Sequence, residues 1–186
     1  MGVINSSRLR SCRGEKLNLN IFYDCPNTTI SFAADSQCTS IYAETSGTDE
    51  NGEDVILNYM DYNVKFGNFV IPDSVKTIGE YAFSGSDITS LTFGKNSKCT
   101  KIESNAFDSC MKLSSVKLPA SLTSIEEFAF YGCSKLASVV IDPAAKIKVL
   151  SSYLFWECTS LKSFTVPAGV TKIELNVFQD VGHWHL

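Results

Sequence analysis

Residues 125 to 141 read IEEFAFYGCSKLASVVI. A cysteine, Cys133, follows the pair Phe130 and Tyr131 in a largely apolar stretch, where it would suit a nucleophile, a metal ligand, half a disulfide or a small packing residue. The stretch decides the fold because its phrasing recurs. Aligned on Phe, the chain gives Ala82-Phe83, Ala106-Phe107, Ala129-Phe130, Leu154-Phe155 and Val177-Phe178, with spacings of 24, 23, 25 and 23. Five residues before each Phe stands an aliphatic: Ile78, Ile102, Ile125, Leu150, Ile173. After it come Ile88, Leu113, Leu136 and Leu161, then Leu91, Val116, Val139 and Phe164, then Phe93, Leu118, Ile141 and Val166. Self-similarity at a fixed period of 20–50 residues is the signature of stacked repeats.

The unit reads L-x-x-V-x-I-P, a linker, then I-x-x-x-A-F-x-x-C. Its first half alternates apolar and polar, the period of a strand. Its second half has too few residues for a long helix and closes in a tight Phe-containing turn. One such unit cannot bury its own apolar face, but stacking it on the next gives a ladder of parallel strands and one elongated core. The fold class is therefore an α/β-type repeat solenoid with few long helices. Strand ends counted from Ile71 fall at 71, 93, 118, 141 and 166. The longer units carry lysine-bearing insertions, GKNSKCTKI (94–102) and PAAKIKVL (143–150), expected to bulge on one side.

On FVIPDSVKTIGEYAF (69–83) and CSKLASVVI (133–141) the chain resembles the BspA-like, or Treponema pallidum-type, leucine-rich repeat family, over about residues 69 to 181. The resemblance implies a curved leucine-rich-repeat solenoid with its strands on the concave side. It further implies a non-enzymatic role like that of bacterial and trichomonad surface antigens, which adhere to host proteins, cells or other microbes. It brings no catalytic residues. Residues 61–186 would form the repeat domain of about five units, the last incomplete at VFQDVGHWHL, with either truncation or a cap built from Val181 and Trp184. Residues 1–60 fall outside the register and read first as a degenerate repeat plus hairpin capping the solenoid, with a small separate domain as the alternative.

Composition narrows the function classes. A formal charge of −4 and pI near 5.2 argue against a nucleic-acid partner. Seven cysteines are an odd number and too sparse for a disulfide scaffold. The opening MGVINSSRLRSCRGEK lacks an apolar core and does not read as a secretory signal. It does match an N-myristoylation pattern at Gly2, with Arg8, Arg10, Arg13, Lys16 and the acylable Cys12 behind it. Two locations follow: the cell surface by resemblance, or the cytoplasm, membrane-tethered if acylated, in the absence of a signal peptide. The second would make the chain an intracellular scaffold.

Candidate chemistry is thin. The histidines, His183 and His185, fall in the last four residues, and no phosphate loop, C-x-x-C or G-x-S-x-G occurs. Neither a cofactor nor a metal is expected. Glu103, Glu126 and Glu174 share one column and read as a solvated stripe beside Lys101 and Lys172. Binding is better supported, with a protein as the partner. Outward strand positions form a column of Ser90, Ser115, Ser138 and Ser163 and a variable column of Thr92, Lys117, Val140 and Thr165. Small hydroxyls suit a crowded ladder in any case, so the variable column is where contacts are expected. Cys110, Cys133 and Cys158 share a column with Ser86 and Val181, so the position asks for small volume and unreactive thiols.

Overall fold

The computed structural model describes residues 38–42 and 66–182, with the backbone of short strands at 3–4, 16–18, 29–30, 46–48 and 54–56. Four strands, Asn68–Ile71, Ser90–Phe93, Ser115–Leu118 and Ser138–Ile141, stack as one parallel sheet. They pair in repeat register, Phe69 opposite Leu91, Leu91 opposite Val116, and Val116 opposite Val139. The alternation in each strand sends one residue set inward and the other out: Phe69 and Ile71 are buried while Asn68 and Val70 are exposed.

A second parallel ladder runs beside the first and is built from two-residue strands. Thr77–Ile78, Lys101–Ile102 and Ser124–Ile125 pair in sequence, and Ser40–Tyr42 joins at the Thr77 edge. Lys16–Asn18 extends it further, while Val149–Leu150 pairs with Lys172–Ile173. Its inward column, Ile41, Ile78, Ile102, Ile125 and Leu150, is fully or almost fully buried. Two residues before each of these strands a further column points inward, with Cys38, Val75, Cys99, Leu122 and Ile147 all sealed from solvent. Both inserted segments thus return a buried residue, Cys99 or Ile147, to the core.

No helix occurs among the described residues; the Phe-containing turns close each unit instead. Each turn is a run of overlapping i to i+3 hydrogen bonds, as in Ala82 N–H to Gly79 O, Ser84 N–H to Tyr81 O and Ser86 N–H to Phe83 O. Two columns take left-handed backbone: Tyr81, Asn105, Phe128, Tyr153 and Asn176 at φ of 52° to 59°, then Gly85, Ser109, Gly132, Glu157 and Asp180 at 53° to 68°. Such φ values are those a type II turn demands at its third position. For L-residues they cost roughly 1–2 kcal/mol each. What offsets that cost is a third ladder: Phe83, Phe107, Phe130 and Phe155 each donate a backbone N–H to the next turn, at Ala106, Ala129, Leu154 and Val177.

The Phe side chains form one internal stack. Rings 83, 107, 130, 155 and 178 follow at 5.2, 5.2, 5.8 and 5.9 Å, with interplanar angles of 1°, 3°, 15° and 14°. The pitch is set by the rungs, about 4.8 Å apart. Phe66 and Phe69 close the first end, edge-on to Phe83.

One expected rung is missing. Residues 161–167 contain no strand, so Ser163 and Thr165 do not continue the sheet. The column that holds Leu91, Val116 and Val139 holds Phe164 here, and its ring lies 5.2 Å from Phe155 and 5.4 Å from Phe178. The Phe164 ring thus joins the end of the aromatic stack, although Phe69 holds the same column inside a paired strand, so a ring alone does not account for the lost rung.

Candidate interaction surface

The outward side of the long-strand sheet presents two rows. Asn68, Ser90, Ser115 and Ser138 stand in register in the first. Asn68 Oδ1 accepts hydrogen bonds from Ser90 Oγ at 2.9 Å and Thr89 Oγ1 at 3.0 Å, so this end of the row is internally satisfied. In the second row Val70 opposes Thr92 and Lys117 opposes Val140. Val70 and Val140, on the two edge strands of the sheet, are 55% and 50% exposed. Beside them lies a shallow depression of ≈ 380 Å³, lined by Thr92, Lys95, Lys117, Ser121 and Asp142. The side-chain oxygen Asp142 Oδ1 is taken by the Ala144 N–H at 2.9 Å, while the Lys95 and Lys117 ammonium groups stand in no ion pair among the described residues. This arrangement offers flat apolar contact, hydroxyls and positive charge to an extended partner.

Thr92, Lys117 and Val140, with Ser90, Ser115 and Ser138, are therefore brought together, whereas Ser163 and Thr165 lie outside the sheet. Val70 and Asn68 complete the rows one rung earlier. The period-2 alternation in NFVI carries the signal for both. The lipidation candidates Gly2 and Cys12 lie outside the described residues, as do His183 and His185.

The cysteine column is sealed. Cys110, Cys133 and Cys158 are free thiols with 0% exposure, and each Sγ donates to a carbonyl of the preceding turn: Phe83 O at 3.0 Å, Phe107 O at 3.2 Å and Phe130 O at 3.2 Å. Ser86 Oγ meets Cys110 Sγ at 3.4 Å, so a hydroxyl occupies the same place one unit earlier. Burial pushes the Cys158 thiol up to about 12 and the Cys133 thiol well above its ordinary value, with Cys110 beside it adding to the rise. Thiolate is the nucleophile, and these environments suppress it. In the native chain at pH 8, a small disulfide reagent is expected to leave Cys110, Cys133 and Cys158 untouched for hours. Unfolding in urea should release all three, and mass mapping of modified peptides checks both; rapid native labelling at any of them contradicts the packing role.

The carboxylate column is an ion-pair stripe. Lys101 Nζ bridges Glu103 at 3.2 Å and Glu126 at 2.8 Å, and Lys172 Nζ meets Glu174 at 2.7 Å. Exposed pairs of this kind are worth roughly 0–1 kcal/mol. Among the described residues no group of three His, Cys, Asp or Glu is placed to hold a metal, and no helix is long and apolar enough to cross a membrane.

Comparison with known proteins agrees with this geometry. The profile of the BspA type leucine-rich repeat region matches residues 54–183 in six copies. A T. pallidum leucine-rich repeat protein superposes with a TM-score of 0.59 at 26% identity, covering 73% of this chain and 63% of its own. The pneumococcal vaccine antigen PcpA superposes at 0.57 and 24% identity, covering 83% of this chain and 41% of its own. This chain thus spans less than two thirds of either structure. No match is found among curated proteins. Six copies of the repeat signature and the stacked parallel rungs that carry them place the chain in the BspA-type leucine-rich repeat family.

Proposed function

We propose that the chain is a non-enzymatic protein–protein interaction module of the adhesion type, binding a host or microbial partner through the outward face of the long-strand sheet. The observation that carries this is the row Val70, Thr92, Lys117 and Val140: two half-exposed valines and an unpaired lysine, held on a rigid ladder with nothing of the chain's described residues over them. Family membership supports it, since the repeat fold is an interaction scaffold. Solenoids bind extended partners by summing modest contacts along such rows.

The test is a paired substitution, Lys117→Glu with Val140→Glu, in the full chain, assayed by binding to immobilised extracellular-matrix proteins and to whole epithelial cells. Both side chains point away from the core, so the melting temperature should hold. A charge reversal with a desolvated glutamate in a contact row costs about 1.4 kcal/mol or more, which predicts a loss of about tenfold or more. Undiminished binding by the folded double variant overturns the assignment to this face.

A further inference from the structure

The turn side of the solenoid carries a feature that the repeat itself does not require. Two columns flank the buried Phe stack: Tyr81, Asn105, Phe128, Tyr153, Asn176 and Ser84, Asp108, Tyr131, Trp156, Gln179, all reaching the surface except the buried Ser84. In the third and fourth turns, and nowhere else, both columns are aromatic together. Phe128 stacks on Tyr153 at 4.7 Å and 4°, Tyr153 meets Trp156 at 5.2 Å, Trp156 meets Tyr131 at 5.2 Å, and Tyr131 closes on Phe128 at 6.0 Å. All four are half-buried, so they form a surface tile and not part of the core. An apolar patch rimmed by polar groups marks an interaction site more often than a solvated face.

The rim is acidic. Asp180 Oδ2 accepts the Trp156 indole N–H at 3.0 Å and the Gln179 amide at 3.4 Å, which leaves Oδ1 without a protein partner among the described residues. Asp108 and Glu157 border Tyr131; burial first, then the Glu157 charge and its hydrogen bond to the phenol, then the Asp108 charge, push that phenol up. Glu127 is exposed next to Phe128. None of these four carboxylates stands in an ion pair among the described residues, unlike the Glu103, Glu126 and Glu174 stripe. Asp108 accepts from Ser109 Oγ at 2.8 Å and Ser84 Oγ at 3.4 Å, so the open positions are those of Glu127, Glu157 and Asp180, and the complement of rings beside carboxylates that no described cation neutralises is a cation.

We propose that the tile of Phe128, Tyr131, Tyr153 and Trp156 with its carboxylate rim is a second interaction site, which takes an arginine-bearing basic segment of a partner protein. A guanidinium is planar, stacks on aromatic rings and forks onto a carboxylate, so one side chain satisfies both halves of the tile. A carbohydrate fits less well, because Phe128 and Tyr153 cover each other's faces instead of opening a flat platform. This site is independent of the long-strand face, so either stands if the other fails.

The probe is a synthetic nona-arginine peptide titrated into the full chain by calorimetry at low salt, with a neutral Gly-Ser peptide and a chito-oligosaccharide as comparisons. Saturable binding of nona-arginine alone is expected, weakened about fivefold by Trp156→Ala and about tenfold by Glu157→Gln with Asp180→Asn. The carboxamide pair leaves the rings in place, so it decides the matter even if Trp156→Ala impairs folding. Asp73→Asn with Asp87→Asn, which removes the same charge elsewhere, should leave binding within about twofold. Equal losses in both double variants would mean attraction to net charge only and would overturn the site. So would absence of saturable binding, or oligosaccharide binding that Trp156→Ala abolishes.

Discussion

Replacing Phe107 by Ala is expected to cost about 3–5 kcal/mol, the largest single-residue loss in the molecule. Phe107 sits at the point of best order in the aromatic stack, 5.2 Å from both Phe83 and Phe130 and within 3° of parallel to each. Its ring is fully buried, and the rungs hold Phe83 and Phe130 at fixed spacing on either side, which limits collapse into the gap. Net stabilities of single domains lie near 5–15 kcal/mol, so the loss is a large share of the total. Because each unit touches only its neighbours, the cavity also weakens the coupling between the two halves of the solenoid. Urea unfolding should show a lower midpoint. It should also show non-coincident transitions by Trp fluorescence, which reports the Trp156 side, and by circular dichroism, which reports all rungs. A loss under about 1 kcal/mol with coincident curves would contradict the stack as the organising element.

How far this core was readable from the chain depends on what repeats. The columns of Phe83, Ile78 and Leu91 were legible because a stacking unit must bring the same apolar residue back to the same place, and spacing of 23 to 25 residues exposes it. The two-residue ladder at Thr77–Ile78 and its equivalents was not, since a strand of that length has no alternation to detect. Its only trace was the Ile column itself. Nor was the left-handed backbone at Tyr81, Phe128 and Tyr153, where only Asn105 and Asn176 hinted at the conformation. The expectation of a fifth long rung failed over residues 161–167, where the apolar columns continue through Leu161 and Phe164 but no strand forms, and nothing in the packing explains the difference. The exposed row proposed for binding was legible as a column, apart from that rung. The aromatic tile was missed because it lies where the columns vary, and reading a repeat by its constants passes over its exceptions.

Alkaline pH supplies the second large effect. The neutral thiols of Cys99 and Cys158 are held by burial up to about 12, and that of Cys133 is raised well above its ordinary value. In the unfolded chain each ionises near 8.5. Above that pH the unfolded state binds fewer protons than the folded state, so stability must fall as pH rises. Below it both states hold the thiol proton and these groups contribute no slope. Each sealed thiol adds a slope of about 1.4 kcal/mol per pH unit in the window between the two values. Three together would exhaust the roughly 5–15 kcal/mol stability of an ordinary domain within about one to four pH units. The phenols of Tyr81 and Tyr131, also pushed up chiefly by burial, act in the same direction at higher pH. The urea midpoint, measured under reducing conditions, is therefore expected to be flat from pH 7 to about 8 and to fall steeply above about 9. The repeat supplies its own control, since each column shows what else it accepts: Val75 stands where Cys99 does, and Ser86 where Cys133 and Cys158 do. A triple variant, Cys99→Val, Cys133→Ser and Cys158→Ser, should keep its neutral-pH stability within about 2 kcal/mol and lose most of the alkaline slope. If its slope above pH 9 matched that of the parent chain, the thiols would not be the groups whose ionisation opens the core.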